Sequence, residues 1–258
     1  MKEIILLTFL SSYILSFFPA KTVDIRPPGT VKIVDNFFID ETEITNISWK
    51  EYVASLKETY GKKSAVYLNA LPDTTVWLLK DGRANVPFVN TYFQHPSYDD
   101  YPVVGISYDQ AVAYCLWRTD VVNEMLERVS NKRVKIKYRL PSRAEWELIA
   151  SAGYTDKQKK SLNKQNKKYN GAARNCNMKF EDSIESGFTM LAPARTYLPN
   201  KFLVYNIYGN VAEMVEEPNI AMGGSFLDYY HEIVPSHKTL AYKGPQNWLG
   251  FRAVCELI

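Results

Sequence analysis

Proline and glycine divide most of this 258-residue chain into short segments, and this division limits the folds open to it. Residues 62–101 show no sustained period, yet their many aromatic side chains require burial. The C-terminal third is divided in the same way, and the sequence contains no repeat of fixed period. Helix and strand patterns are mixed rather than alternating as βαβ units. The sequence therefore predicts an α+β fold.

Capping patterns predict the longer helices. One helix begins at Thr45 or Asn46 and stops at Gly61, and the most regular one spans Ser107–Val129. Ser142 with Glu145 forms a capping box that opens a third helix. Residues 31–44 and 135–138 are rich in β-branched and aromatic side chains, which predicts short strands.

The N-terminus is typical of a secretory signal sequence. Lys2 precedes an apolar run, Ile4–Phe18, and then Pro19 and Ala20 follow. We therefore expect residues 1–20 to be a signal peptide and residues 21–258 to form a single domain. Because no cysteine precedes Cys115, we expect no lipid anchor. An uncleaved membrane anchor is the alternative.

A net charge of +3 is too small to indicate nucleic-acid binding. Several lysines cluster within residues 157–168, in a stretch rich in Gln, Asn and Ser. We interpret this stretch as a solvated loop, with a docking surface for an acidic partner as the alternative.

Six short motifs occur in an order that resembles the formylglycine-generating-enzyme, or sulfatase-modifying-factor, family. They are Phe38–Asn46, Pro102–Tyr108 with Ala113–Cys115, Arg139–Glu147, Asn206–Glu213, Gly223–Phe226 and Gly250–Arg252. The resemblance spans nearly all of residues 21–258. It implies the compact, C-type-lectin-related fold of that family, with short strands, few helices and much irregular structure.

A narrower likeness is to GldJ and GldK, the periplasm-facing lipoproteins of gliding motility and type IX secretion. It rests on two stretches, Ala70–Trp77 and Tyr114–Glu124. This likeness implies a chain located in the periplasm or on the periplasmic face of the outer membrane. Its partners would be other proteins of that assembly.

The resemblance also implies that catalysis has been lost. Catalytic members hold Cu(I) with two cysteines that follow the Gly-Gly-Ser turn, because soft thiolate ligands suit that ion. The corresponding positions here are Asp228 and Ile233, and no cysteine occurs between Phe226 and Val254. We therefore expect no copper and no enzymatic activity.

Other catalytic constellations are weak. His231, Glu232 and His237 would form an iron-binding triad only on a contorted loop. Ser225 lies outside a Gly-x-Ser-x-Gly motif, and no base accompanies it.

The same resemblance implies structural calcium. The implied ligands are the side chains of Asn206 and Glu213 with the carbonyls of Gly209 and Val211. Oxygen ligands of this kind suit Ca²⁺. A second loop would contribute the Asn177 side chain and the Met178 carbonyl. The alternative is that Asn206 and Glu213 hydrogen-bond a loop without metal.

A disulfide between Cys115 and Cys255 is a further implication of the family pattern, and it would leave Cys176 as a thiol. The alternative is three reduced cysteines that pack as small apolar residues.

Three functions follow from these expectations. The first is a non-catalytic scaffold or adaptor of a periplasmic secretion or gliding apparatus. The second is a carbohydrate- or peptide-binding module in the ancestral groove, which the nearby aromatics Tyr229, Tyr230, Tyr242 and Trp248 suggest. The third is a residual oxidase of the formylglycine-generating type.

Overall fold

The computed structural model of this chain describes residues 26–78, 86–129, 134–168, 175–180 and 190–258. The predicted signal peptide lies outside the described residues. Among the helices of those ranges, none has the length and apolar character needed to cross a membrane.

Helices occupy mainly the N-terminal two thirds of the chain. The α-helices are α1 (Asn46–Tyr60), α2 (Ala65–Asn69), α3 (Val86–Thr91), α4 (Tyr108–Val129), α5 (Arg143–Ala150), α6 (Asp156–Lys168) and α7 (Tyr230–Ile233). Short 3₁₀ turns occur at Thr74–Trp77, Pro96–Tyr98 and Val234–Ser236.

The predicted caps are confirmed. The Thr45 side chain accepts a hydrogen bond from the Ser48 amide at the start of α1, and Gly61 ends that helix. Ser107 and Gln110 bond reciprocally before α4, at 2.7 and 3.2 Å. These side chains satisfy amides that a helix leaves without partners in its first turn.

The interpretation of the lysine-rich stretch as a loop is wrong, because this stretch forms α6. Gln158 and Thr155 form a capping box, in which the Gln158 side chain accepts from the Thr155 amide at 2.7 Å. Lysine and glutamine are good helix formers, so a capped polar segment is helical even with little apolar surface to bury.

Two four-stranded sheets form within the described residues. Their strands are β1 (Thr30–Val34), β2 (Phe37–Asp40), β3 (Ile136–Arg139), β4 (Ala212–Met214), β5 (Ile220–Met222), β6 (Leu240–Ala241), β7 (Leu249–Gly250) and β8 (Val254–Leu257). The first sheet is antiparallel in the order β1-β2-β8-β3. The second has the order β6-β5-β4-β7, and its parallel pair aligns Glu213 of β4 with Gly250 of β7.

The core consists of three apolar clusters. The largest packs α1 and α4 on the first sheet, where the Trp49 ring stacks on Tyr114 at 5.3 Å. A second surrounds Trp146 of α5, and a third surrounds Trp77. The functional candidates below lie where the second and third clusters meet the loops of the second sheet.

Candidate functional site

Asp228 holds the turn that follows the two glycines Gly223 and Gly224. One oxygen of its carboxylate accepts from the Ser225 amide at 2.8 Å and from the Ser225 hydroxyl at 2.7 Å. Ser225 is completely buried, and its hydroxyl oxygen accepts from the Leu227 amide. Both side chains therefore stabilise the turn, and neither is arranged as a nucleophile.

Ile233 fills an apolar position behind the same turn. It is 1% exposed, and its γ carbons lie 3.0 and 3.1 Å from the point where a Cβ on Gly224 would stand. The Cε atom of Met178 closes the other side of that point at 2.8 Å. The two positions at which the family resemblance implies catalytic cysteines thus serve a polar turn and an apolar contact.

The predicted disulfide between Cys115 and Cys255 is not formed. Both side chains lie in the cluster between α4 and the first sheet, but each is a free thiol. Burial raises the pKa of each thiol to about 12, so neither is a thiolate at neutral pH. Both pack as small apolar side chains, which is the alternative that the sequence left open.

Cys176 is the one cysteine of the chain's three that lies near the turn. It lines a cavity of about 640 Å³ whose walls also include Tyr230 and Val234, on either side of Ile233. Since Cys115 and Cys255 lie in another cluster, no second thiol reaches this cavity.

Aromatic rings and amides form the walls of this cavity. Tyr154, Tyr208 and Tyr230 line it, and the ring of Phe180 stacks on Tyr230 at 5.2 Å. Burial raises the pKa of each of the three phenols, so all stay neutral. No charged side chain belongs to the walls that the structure describes. The cavity therefore suits an uncharged group with a hydrophobic face.

Hydrogen bonds fix the orientation of the wall. The Asn175 side-chain amide donates to the Tyr154 hydroxyl at 2.7 Å and to the Leu198 carbonyl at 2.9 Å. A parallel bridge joins Lys179 to Tyr229, which brings the segment of Phe180 against that of Tyr230. Tyr208 is held by His237, with 2.9 Å between the hydroxyl oxygen and Nδ1.

Of the four aromatics expected at the groove, only Tyr230 lines this cavity. Tyr242 lies in the largest core cluster, and Trp248 packs against two clusters elsewhere. Tyr229 points away, with its ring beneath Lys179 and against His231. A sequence without a regular period gives no side-chain direction, so it could not show which of the four rings lines this cavity.

The two predicted calcium loops lie against each other. The Asn177 carbonyl accepts from the Asn210 amide at 2.9 Å, and the Asn177 side chain donates to the Asn210 side-chain oxygen at 3.2 Å. A Cβ on Gly209, whose φ is +78°, would stand 2.5 Å from Met178 Cγ. Gly209 therefore permits the close approach of Met178, and Asn177 acts as a hydrogen-bond donor here.

Asn206 is anchored by a carboxylate that the sequence did not single out. Its side-chain nitrogen donates to both oxygens of Glu43, at 3.2 and 3.3 Å, and to the Ala194 carbonyl. Asn210 donates to the same carboxylate at 2.9 Å. The Asn206 side-chain oxygen is buried without a hydrogen-bond partner.

Glu213 is fully paired with Arg252, and neither side chain is more than 1% exposed. Arg252 Nε donates to both carboxylate oxygens at 2.9 and 2.8 Å, and Nη2 donates to Oε1 at 2.5 Å. Trp146 Nε1 donates to Oε2 at 2.8 Å. The parallel pair of β4 and β7 produces this arrangement, because Arg252 follows Gly250 by two residues.

These contacts bear on the calcium site that the sequence predicts. Of the two predicted ligand side chains in this loop, Asn206 presents an unpartnered oxygen, but Glu213 is occupied by a guanidinium. A calcium ion bound to Glu213 would lie close to the positive charge of Arg252. At about 4 Å, and for an effective dielectric constant of about 20, two unit positive charges repel each other by about 4 kcal/mol. The predicted carbonyl ligands at Gly209 and Val211, together with water, would have to complete the about six to eight ligands that calcium takes, so calcium binding stays a prediction.

Glu43, Asn210 and Arg252 are the residues of this network that sequence reasoning missed. All three lie inside the motifs given above. The signal that the sequence offered was the presence of charged residues, Glu43, Glu213 and Arg252, in segments otherwise expected to be buried. A buried charge requires a partner, and this requirement could have linked Glu213 to Arg252.

The remaining candidates are structural. Glu145 accepts from the Ser142 amide and from Arg139, so it caps α5 rather than transferring protons. Within the described ranges, no three His, Cys, Asp or Glu residues are grouped to hold a metal ion, and this includes His231, Glu232 and His237, which the sequence made weak candidates.

The chain is similar to the members of a known protein family. Residues 14–257 match the family described as Sulfatase-modifying factor enzyme 1-like domain. The formylglycine-generating enzyme of Mus musculus is 27% identical over 213 residues, which cover 75% of this chain and 52% of that protein. The formylglycine-generating enzyme of Thermomonospora curvata is 25% identical over 215 residues, covering 76% and 61%. The chain thus spans between about half and three fifths of the length of these curated relatives.

A solved structure is similar over most of the chain. The crystal structure of CarF aligns with a TM-score of 0.49 and 18% identity, covering 85% of this chain and 86% of that one.

Proposed function

Because the chain belongs to the family of sulfatase-modifying factor enzyme 1-like domains, we propose that it is a non-catalytic member that serves as a scaffold or adaptor of an exported assembly. The observation that supports this proposal most strongly is what Asp228 and Ile233 do at the two positions where the family resemblance implies cysteines. Asp228 bonds a turn and Ile233 fills the core, so neither offers sulfur to a copper ion. The similar curated proteins are named formylglycine-generating enzymes, and the proposal departs from that activity on this ground.

Copper binding tests the loss of catalysis directly. We expect the purified full chain to bind no Cu(I) tightly and to leave a cysteine-containing peptide unoxidised. The variant D228C/I233C restores two thiols at these positions, and we expect it to gain Cu(I) affinity. D228A/I233A is the matched control, because it makes the same cavity without sulfur.

Two results would contradict this part of the proposal. One is tight, stoichiometric Cu(I) binding by the wild-type chain that persists in C176S. The other is conversion of the peptide cysteine to formylglycine by the wild-type chain, which would establish a residual oxidase.

The proposed role as an adaptor rests on features outside the turn that Asp228 holds. Val121 and Met125 lie one turn apart on α4 and are 43% and 41% exposed. We propose this pair as part of the contact with a partner, because contiguous exposed apolar surface marks interaction sites. The signal-like N-terminus and the likeness to the gliding-motility lipoproteins support a periplasmic location and protein partners there.

Affinity capture from the native envelope tests this role. We expect the wild-type chain to retain a defined set of envelope proteins that V121K/M125K loses. L68K is the matched control, because Leu68 is 51% exposed on α2. A monomer without partners, or equal capture by all three proteins, would contradict the adaptor role.

The cavity favours a second function, binding of an uncharged part of a glycan or peptide. Its tyrosine and phenylalanine rings offer flat apolar surfaces, and its amides offer polar contacts. Screening against glycan and peptide arrays should yield a ligand whose affinity falls at least tenfold in Y230A. Y229A is the matched control, since its ring lies outside the cavity. Equal loss in both variants, or no ligand on either array, would contradict this function.

A further inference from the structure

Helix α6 holds more positive charge than the chain as a whole. The chain has 31 lysines and arginines against 28 acidic residues, which gives its net charge of +3. Six of those lysines and one of the acidic residues belong to α6. The rest of the chain therefore has 25 basic against 27 acidic residues and is slightly acidic. The basic character of the protein is thus concentrated in one 13-residue helix.

This helix is attached to the protein through one face. The Gln158 side chain donates to the Pro199 carbonyl at 2.9 Å, and Leu162 lines the cavity described above. Leu162 is the only apolar residue in the sequence of α6. Because the capping box of Thr155 and Gln158 fixes its first turn, the helix presents its opposite face to solvent in a defined orientation.

Three lysines form a stripe on this opposite face. Lys157, Lys160 and Lys164 are exposed, and at about 100° per residue they lie within an arc of about 60°. The stripe extends about 10 Å along the helix axis. Among the residues that the structure describes, no carboxylate pairs with these three lysines, whereas Lys159, on another side of the helix, lies 4.0 Å from Asp156. The charge of the stripe is therefore available to a partner.

From this arrangement we infer that α6 is a docking surface for an anionic lipid bilayer, to which the lysine stripe attaches by charge alone. The stripe contains no apolar side chain that a protein partner could bury, so it offers little by which to select one protein from another. A flat surface that is negative over its whole area matches a straight row of like charges. Lysine clusters on a helix are typical of binding to anionic lipids, and each lysine strengthens that binding about fivefold.

Sedimentation with lipid vesicles tests the inference. The full chain is mixed with vesicles of equal parts phosphatidylglycerol and phosphatidylcholine, and separately with vesicles of phosphatidylcholine alone. The ratio of the two affinities is the measured quantity, because any apolar contribution from Ile4–Phe18 is common to both vesicles. We expect a preference for the anionic vesicles on the order of a hundredfold at about 0.1 M salt. Most of it should disappear at about 1 M salt, where the screening length falls to about 3 Å.

Two triple variants locate the binding surface. K157Q/K160Q/K164Q removes the stripe, and glutamine is about as good a helix former as lysine, so α6 should persist in circular dichroism. We expect this variant to lose most of the preference for anionic vesicles. K62Q/K63Q/K243Q is the matched control, because it removes the same charge from exposed positions outside α6. Its preference should equal that of the wild type.

Three results would overturn the inference. One is equal affinity of the wild-type chain for both kinds of vesicle, and another is an equal preference in the two triple variants. The third is a wild-type chain that ignores anionic lipid while K157Q/K160Q/K164Q loses an acidic protein in capture from the envelope, which would make that protein the partner. The adaptor surface at Val121 and Met125 lies on α4, so either proposal can fail without the other.

Discussion

Glu43 shows how strongly the interior acts on a single side chain. Burial raises the pKa of its carboxyl from 4.5 to about 7, with the Arg252 charge opposing the rise and the Glu213 charge adding to it. Tyr92, whose pKa is also raised by burial, faces the same carboxylate. Between about pH 4.5 and about pH 7 the folded chain therefore keeps Glu43 mostly protonated, whereas the unfolded chain ionises it near the ordinary value.

The pH dependence of unfolding follows from this difference. The folded state holds the Glu43 proton more tightly, so stability falls as pH rises from about 4.5 to about 7, by on the order of 3 kcal/mol. Glu43→Gln resembles the protonated form and should lack this loss when urea unfolding is compared at about pH 5 and about pH 8. Glu41→Gln should keep the wild-type slope. Parallel pH profiles for wild type and Glu43→Gln would disprove the assignment.

Gly224 offers a test of the packing behind the turn that Asp228 holds. Its φ is +68°, and an added Cβ would meet Met178 at 2.8 Å and Ile233 at 3.0 Å. Gly244 has a φ of +63°, but an added Cβ meets nothing within 4 Å. Gly244→Ala should cost about 1 kcal/mol for the backbone conformation alone. Gly224→Ala should cost about 1–3 kcal/mol more, measured by chemical unfolding. Equal losses would mean that Ile233 moves aside freely.

Among the elements, α5 depends most visibly on its cap. Ser142 and Glu145 exchange hydrogen bonds, and Arg139 binds the Glu145 carboxylate from β3 with its two nitrogens at 2.8 and 2.7 Å. This cap lies between the first sheet and Trp146, whose indole nitrogen donates to Glu213. The start of a short helix therefore positions one wall of the buried network.

Ser142→Ala should lower the free energy of unfolding by about 1 kcal/mol, because it leaves a first-turn amide without its acceptor. Ser161→Ala is the control, because Ser161 is exposed within α6, where alanine is at least as favourable. Urea unfolding of the two variants should differ by about this amount. Identical midpoints would show that Glu145 and Arg139 hold α5 without Ser142.

At the scale of the whole molecule, α4 is joined to the first sheet by packing rather than by a covalent link. Cys115 and Cys255 lie in one cluster and remain thiols, although they are separated by most of the folded chain. The aromatic contacts of Trp49, Tyr114 and Phe251 fill the space around α1 and α4.

Reduction should therefore leave global stability unchanged. A disulfide between Cys115 and Cys255 would close a loop of most of the chain and contribute about 4–5 kcal/mol, which reduction would remove. We expect equal unfolding midpoints with and without reductant, and three reactive thiols after denaturation, counted by mass spectrometry. A lower midpoint in reductant together with one reactive thiol would restore the predicted bridge.

The sequence by itself determined the features that depend on neighbours along the chain. Capping side chains lie three residues from the amides they bind, so Ser107–Gln110 and Ser142–Glu145 could be identified directly. The order of the motifs predicted the family, and the α+β fold that it implies is confirmed. The absence of cysteines at Asp228 and Ile233 was equally visible.

Only the tertiary structure decided which distant groups meet. Arg252 reaches Glu213, and Glu43 reaches Asn206, across separations of 39 and 163 residues. Hydrogen bonds and ion pairs of this kind depend on strand pairing and on side-chain direction, which local patterns do not specify. For the same reason the sequence does not show that Tyr230, the first residue of α7, lines the cavity while Tyr229 beside it does not.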